Sequence, residues 1–144
     1  MKKTKRQRPK LGAILAIPLP NGTYAFGRLY SEYTLAIYKE RTKNIHEIPE
    51  NKEYDFFVGV YRDVICDGEW PVIDQVPFEN EDDAWKKPPN YMKDIFTGEI
   101  SKYERGIITP STEEECKGLE ICAVWDRTHV VDRLMGINTW TQIL

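Results

Sequence analysis

Histidine is scarce in this chain: His46 lies in a polar stretch and His129 near an expected helix start, and there is no third. Acid–base and nucleophilic catalysis draw on histidine more than on any other side chain. No Gly-x-Ser-x-Gly elbow, phosphate-binding glycine loop or His-Glu-x-x-His pattern occurs either. Asp and Glu are plentiful, but abundant carboxylates are solvated surface charge before they are anything else. The sequence is therefore read as a non-enzyme that needs no cofactor.

Cysteine is also rare. Cys66, Cys116 and Cys122 make an odd set without an export signal, which argues for free thiols in a reducing, cytoplasmic setting. The group Cys116, Cys122 and His129 matches no standard zinc spacing and lacks a fourth ligand, so no metal is assigned. Long apolar runs are missing too. Nothing approaches the ~20 residues of a membrane-spanning helix. The basic start "MKKTKRQRPK" resembles the head of a secretion signal, yet "LGAILAIPLP" is short and broken by Pro18 and Pro20. It reads as a buried strand.

What the chain does have is charge, unevenly placed. Residues 1–10 hold six basic side chains and no acid, while 11–144 hold 14 basic against 23 acidic residues, a net −9. The first ten residues show no apolar periodicity and are expected to be a disordered tail. Residues 11–144 form one domain, long enough to bury a core. Within it, 67–83 carries seven acids (Asp67, Glu69, Asp74, Glu79, Glu81, Asp82 and Asp83) and no Lys or Arg.

Strand signals dominate. In Leu19-Pro20-Asn21-Gly22 the proline pre-sets its φ and the glycine takes the left-handed position, which predicts a type I turn closed by a glycine bulge. A two-residue Asn-Gly turn is the alternative and would cost Pro20 a ladder bond. Beyond the turn, Tyr24, Phe26, Arg28 and Tyr30 share one face, and Ala25, Gly27 and Leu29 the other. The preceding strand is apolar on both faces, as a central strand is. Further strands are expected at Thr34–Tyr38, Tyr54–Tyr61, Trp70–Val76, Tyr91–Phe96, Ile100–Tyr103 and Ile107–Thr109. Asp67-Gly68 and Thr97-Gly98 supply turns. The polar stretches 39–53 and 79–90 read as loops.

Ser111 with Glu114 forms a capping box that predicts a short helix ending near Gly118. "LEICAVWD" alternates as a strand and also fits a helical stripe; strand is the preferred reading. Asp126 or Thr128 caps a helix through Val130, Val131, Leu134 and Met135 that stops at Gly136, and "INTWTQIL" alternates again. The expected fold is mostly β (α+β): a curled antiparallel sheet or small, partly open barrel with one or two short C-terminal helices.

Two binding readings remain. A nucleic-acid-associated small β-barrel would use the basic tail with Tyr24, Phe26 and Tyr30 as a stacking platform. The acidic body opposes it, and rings on a strand are core residues or cross-strand partners first. A protein-binding module would use Glu79, Glu81, Asp82, Asp83 and Trp85, carboxylates to steer a basic partner and an indole to anchor it. Seven acids without counter-charge repel one another, a cost that partner binding would offset.

Four blocks, "KLGAILAIPLPNGTYAFGRLY", "FFVGVYRDVICDGEWPVI", "PPNYMKDIFTGEI" and "CKGLEICAVWDRTHVVDRLMG", resemble in order the immunity protein 26 family of bacterial polymorphic toxin systems. The resemblance spans Lys10 to Gly136. It implies a mostly-β cytoplasmic protein that protects its producer by binding a cognate toxin, with no catalytic residues to transfer. The blocks coincide with the expected elements, so Gly22, Gly27, Trp70 and Trp125 read as scaffold. Toxin contacts are then expected in loops such as 39–53 and 79–90.

Overall fold

A computed structural model describes residues 5–144, in two open antiparallel sheets and two helices. The first sheet contains β1 (Ala13–Pro18), β2 (Tyr24–Tyr30), β3 (Thr34–Tyr38), β4 (Tyr54–Gly59) and β5 (Val72–Gln75), in the order β4-β3-β2-β1-β5. The second contains β6 (Asn90–Lys93), β7 (Ile100–Glu104) and β8 (Ile107–Ser111) in sequential order. Helix α1 spans Arg62–Cys66 and α2 spans Arg127–Leu134. The mostly-β expectation holds. Of its two forms, open sheets are found and not a barrel.

The β1–β2 turn forms as its residues dictate. Gly22 N–H donates to the Leu19 carbonyl at 3.1 Å, Leu19 N–H to Thr23 at 2.9 Å, and Gly22 has φ +83°. Register then pairs Leu15 with Gly27, Gly27 with Ile37, and Ile37 with Phe56 across four strands. A Cβ on Gly27 would stand 3.1 Å from Ile37 Cδ1 and 3.3 Å from Leu35 Cβ, so the missing side chain lets β2 and β3 pack closely.

Both faces of this sheet are covered, which is why β1 is apolar throughout. On one side Leu15, Ile17, Leu35, Ile37 and Val58 meet α1, α2, Trp70 and Trp125 in the main core. On the other, Ile14, Ala16, Phe26 and Tyr38 meet Ile45 and Ile48 of the 39–53 segment. That segment has no strand or helix, yet it caps a core face. Each aliphatic side chain so buried contributes about 1.5–3 kcal/mol. Phe26 is fully buried and Tyr30 is 7% exposed, so two of the three rings weighed as a base-stacking platform are core, and Tyr24 packs half-buried against it.

Several expectations move. Helix α1 was not anticipated; five residues with no side-chain cap are held by burial of Val64, Ile65 and Cys66. The helix expected from Ser111 is instead a single turn. Ser111 still belongs to β8, Thr112 accepts from Glu115 N–H, and Cys116 N–H closes on the Thr112 carbonyl before Gly118 breaks the chain. Residues 119–125 are extended but form only bridges: Ile121 with Tyr91, Glu120 with Ile143 and Trp125 with Val60. They connect β6 to the end of β4 and so join the two sheets. Helix α2 is capped by Asp126, which accepts from Arg127 N–H.

Residues 1–4 of the expected tail lie outside the described residues. Within the rest, Gln7 is anchored: its side chain donates to the Ile65 and Trp70 carbonyls at 3.0 and 2.8 Å and accepts from Val72 N–H at 3.1 Å. Its own N–H donates to the Cys66 carbonyl. Gly68, at φ +84°, makes room, since a Cβ there would meet the Lys5 carbonyl oxygen at 2.0 Å. The sequence signal for a tail was real charge, but one glutamine ties the segment to the body.

Candidate functional site

The acidic segment with Trp85 becomes a defined structure. Residues Glu81–Trp85 form one 3₁₀ turn capped by Asn80, whose side chain accepts from Asp83 N–H at 3.1 Å. Asx capping is favoured where the first N–H groups of a turn have no partner. Ala84 is fully buried and its carbonyl accepts from Ser31 N–H, docking this turn onto the β2–β3 connection. Trp85 and the acids around it are thereby set beside the second sheet.

The predicted residues do not stand as an uncompensated negative patch. Asp82 pairs with Arg105 at 2.9 Å and Asp83 with Lys86 at 2.7 Å. Asp67 and Glu69, from the same acid run, both reach Arg127 of α2. Among the described residues, Glu79 and Glu81 have no ion-pair partner. Self-repulsion across 67–83 is therefore smaller than the one-dimensional charge run implied, because tertiary contacts bring in cations from elsewhere. Exposed pairs of this kind add only ~0–1 kcal/mol each, so they compensate charge more than they stabilise.

Trp85 is flanked by two cations, Arg105 at 4.9 Å and Lys87 at 5.8 Å from the ring. Arg105 stands in the β7–β8 turn with φ +48°, and Gly106 follows at φ +80°. Lys87 turns the other way and joins a second cluster. Its ammonium donates to Glu32 at 2.8 Å and to Thr34 Oγ1 at 3.0 Å, while Tyr103 donates to the other Glu32 oxygen. Burial alone would raise the Glu32 carboxyl, but the hydrogen bonds from Lys87 and Tyr103 outweigh it and hold it below its ordinary value.

Glu32 and Tyr33 are both left-handed, with φ +61° and +51°. A tight β2–β3 hairpin demands positive φ at these two places, a demand that Asn-Gly meets cheaply. Here two residues with full side chains meet it at a cost of ~1–2 kcal/mol each. Two polar partners on the Glu32 carboxylate, Lys87 and Tyr103, together with Val60 N–H on the Tyr33 carbonyl, hold the turn in place.

Glu32, Lys87 and Tyr103 also line a cleft of about 380 Å³ between β4 and residues 118–125. Arg133 of α2 grips the Glu120 carboxylate there with two bonds of 2.6 and 2.8 Å and lies 3.8 Å over the Phe56 ring. Two side chains of this cleft are shifted toward their neutral forms. The Cys122 thiol is raised by partial burial and by the Glu32 charge, and the Tyr103 phenol by its bond to Glu32 and by burial. Both stay protonated, and the Glu32 oxygens are already engaged. Cys66 and Cys116 are free and buried. Among the described residues no three His, Cys, Asp or Glu side chains are placed to hold a metal ion, and no helix is long and apolar enough to cross a membrane.

Sequence reasoning named Glu79, Glu81, Asp82, Asp83 and Trp85 but not Glu32, Lys87, Tyr103 and Arg105, which stand beside them. No local motif marks them; they come together only because the 3₁₀ turn and the β7–β8 hairpin both pack against the β2–β3 turn. Trp70 and Trp125, read as scaffold, are 2% and 6% exposed.

Comparison with curated proteins and with solved structures returns no match. The family model of immunity protein 26 does match, over residues 10–97, a span that takes in all five strands of the first sheet, the 3₁₀ turn with Trp85 and the first strand of the second sheet. Since that is more than half of the chain, this protein belongs to the immunity protein 26 family.

Proposed function

We propose that the chain neutralises a cognate bacterial toxin by stoichiometric binding in the cytoplasm, through a surface centred on Trp85. Family membership is the observation that carries this reading. The surface supports it: a half-buried indole with Arg105 4.9 Å and Lys87 5.8 Å from its ring, in the same segment as Glu79, Glu81, Asp82 and Asp83. Aromatic and arginine side chains in rigid settings are the residues that most often dominate binding energy.

The net −9 of residues 11–144 favours a basic partner. Steering between opposite charges raises association to ~10⁸–10⁹ M⁻¹s⁻¹ at low salt. No nucleic acid, membrane or cofactor is needed for this action.

The test pairs the purified chain with the C-terminal domain of the secreted protein encoded beside its gene. A one-to-one complex by light scattering, and survival of cells that co-express the two, are expected. Association rates should fall steeply with added salt, and Asp82→Lys with Asp83→Lys should slow association without unfolding the protein. A rate indifferent to salt removes the steering, and unprotected cells remove the function.

A further inference from the structure

The two sheets have four edge strands, β4 and β5 in the first, β6 and β8 in the second. Three of these edges are closed to a further strand. At β5 the Val72 N–H donates to Gln7 Oε1 at 3.1 Å. At β6 the Tyr91 N–H donates to the Glu120 carbonyl, and the Tyr91 carbonyl accepts from Cys122 N–H. Along β8 the edge is interrupted by Pro110, which has no N–H and sits in an edge strand with that side turned outward.

The β4 edge is open. Its ladder to β3 runs without a shift from Phe56 to Gly59. The Gly59 carbonyl accepts from Trp125 N–H at 2.8 Å, so Gly59 turns its polar groups away from β3. Phe57, two residues earlier, turns the same way, because backbone groups alternate sides along a strand. Among the described residues nothing pairs with the outward N–H and carbonyl of Phe57. They face the cleft of about 380 Å³. Its far wall is the extended segment 119–125, which bonds to β4 through Trp125 alone among the described residues. Two extended walls joined at one end leave a slot in which one more strand would continue the first sheet.

The slot also has its own charge. Glu32, Asp55 and Glu120 line it against Lys87. Lys87 pairs with Glu32 and Arg133 with Glu120, whereas Asp55 has no ion pair among the described residues. A cation on the occupant would complete that count.

We propose that this slot receives an extended segment of the toxin domain, which pairs its main chain with Phe57 and sets a lysine or arginine against Asp55. This rests on the toxin-binding reading above and names its contact. In strand addition the main-chain bonds supply affinity and the flanking side chains supply selectivity. A second copy has no such segment to give: its β5, β6 and β8 edges are closed in the same way, and its β4 lies behind residues 119–125. Lys87 lines the slot and lies 5.8 Å from the Trp85 ring, so slot and Trp85 surface are continuous.

The experiment uses the full chain, with the domain encoded beside the gene as probe. Gly59→Leu plugs the slot. A Cβ at Gly59 would stand 3.5 Å from the Ala123 carbonyl oxygen and 4.0 Å from Thr34 Oγ1, ordinary contacts that displace neither wall. This variant should bind at least ~100-fold more weakly with little change in thermal unfolding. Cys122 lines the slot and is exposed, while Cys66 and Cys116 are buried, so N-ethylmaleimide reports on the slot in the native chain. In the complex Cys122 should resist alkylation, and amide exchange at Phe57 should slow at least ~10-fold.

Alkylation of Cys122 as fast in the complex as in the free chain overturns the slot and leaves the immunity reading standing. Undiminished binding by a folded Gly59→Leu chain does the same. Protection of Cys122 without slower exchange at Phe57 means that a side chain fills the cleft, and overturns the strand pairing. Protection in the concentrated chain alone assigns the slot to a second copy and also overturns the proposal. Absence of any complex with the unmodified chain overturns both readings.

Discussion

Glu32 and Lys87 meet at 2.8 Å although 55 residues separate them in the chain. Their contact links the left-handed β2–β3 turn to the segment that carries Trp85, so the geometry of one depends on the other.

Replacing Glu32 separates its two roles. Glu32→Ala loses the bonds to Lys87 and Tyr103 and keeps the unfavourable φ, whereas Glu32→Gly loses the same bonds and relieves the backbone. The glycine variant should be the more stable by about 1 kcal/mol in urea unfolding. In the native chain the carboxyl is held below its ordinary value. Its stabilising contribution is complete above the unfolded glutamate value of ~4.3 and is lost as pH falls through the lower folded value. A Glu32→Gln chain should show a shallower loss of stability in acid.

The second face of the first sheet predicts alkaline behaviour. Burial, then the neighbouring Tyr54, pushes the Tyr38 phenol up to about 12. Tyr30 is raised by burial and by its hydrogen bond to Tyr54. The fold favours the neutral phenols, so their contribution is complete below the ordinary tyrosine value of ~10 and disappears as pH rises through the folded values. Tyrosinate absorbance should show a late step that coincides with unfolding, and Tyr38→Phe should shrink it.

Gln7 should behave as a structural residue despite its place in a basic, polar segment. Gln7→Ala removes three side-chain hydrogen bonds to α1, Trp70 and β5, and should cost about 1–3 kcal/mol. Gly68→Ala should cost a similar amount, because its φ is left-handed and its Cβ would strike the Lys5 carbonyl. Unaltered denaturation midpoints in both variants would show the segment to be unanchored.

Arg133 and Glu120 form a well-shielded ion pair, with side chains 11% and 23% exposed. Arg133→Met strands a largely buried carboxylate and should destabilise by about 2–3 kcal/mol. Adding Glu120→Gln should recover part of the loss, which a double-mutant cycle reads directly. Arg133→Lys should rescue poorly, since an ammonium cannot make the paired contact that guanidinium makes while stacked on Phe56.

Features decided within a few residues were legible in the sequence. Pro20-Asn21-Gly22 sets its own turn, Asp126 caps its own helix, and the unbroken apolar run of β1 declares a buried, central strand. Steric limits on φ and the period of side chains along a strand act locally, so the order of residues is enough. The acidic, tryptophan-bearing segment was legible for the same reason, as a run of like residues.

What only the tertiary structure decided were relations across long stretches of chain. Arg127 compensates Asp67 and Glu69, Arg105 compensates Asp82, and Lys87 fixes a strained turn. The exposure of Ile95 and Phe96 belongs here too, since an apolar pair in a strand-like pattern reads as core until the Asp94 carboxylate turns the chain outward. Charge pairing and burial depend on distance through space, and the packing of two sheets sets those distances where no local spacing records them.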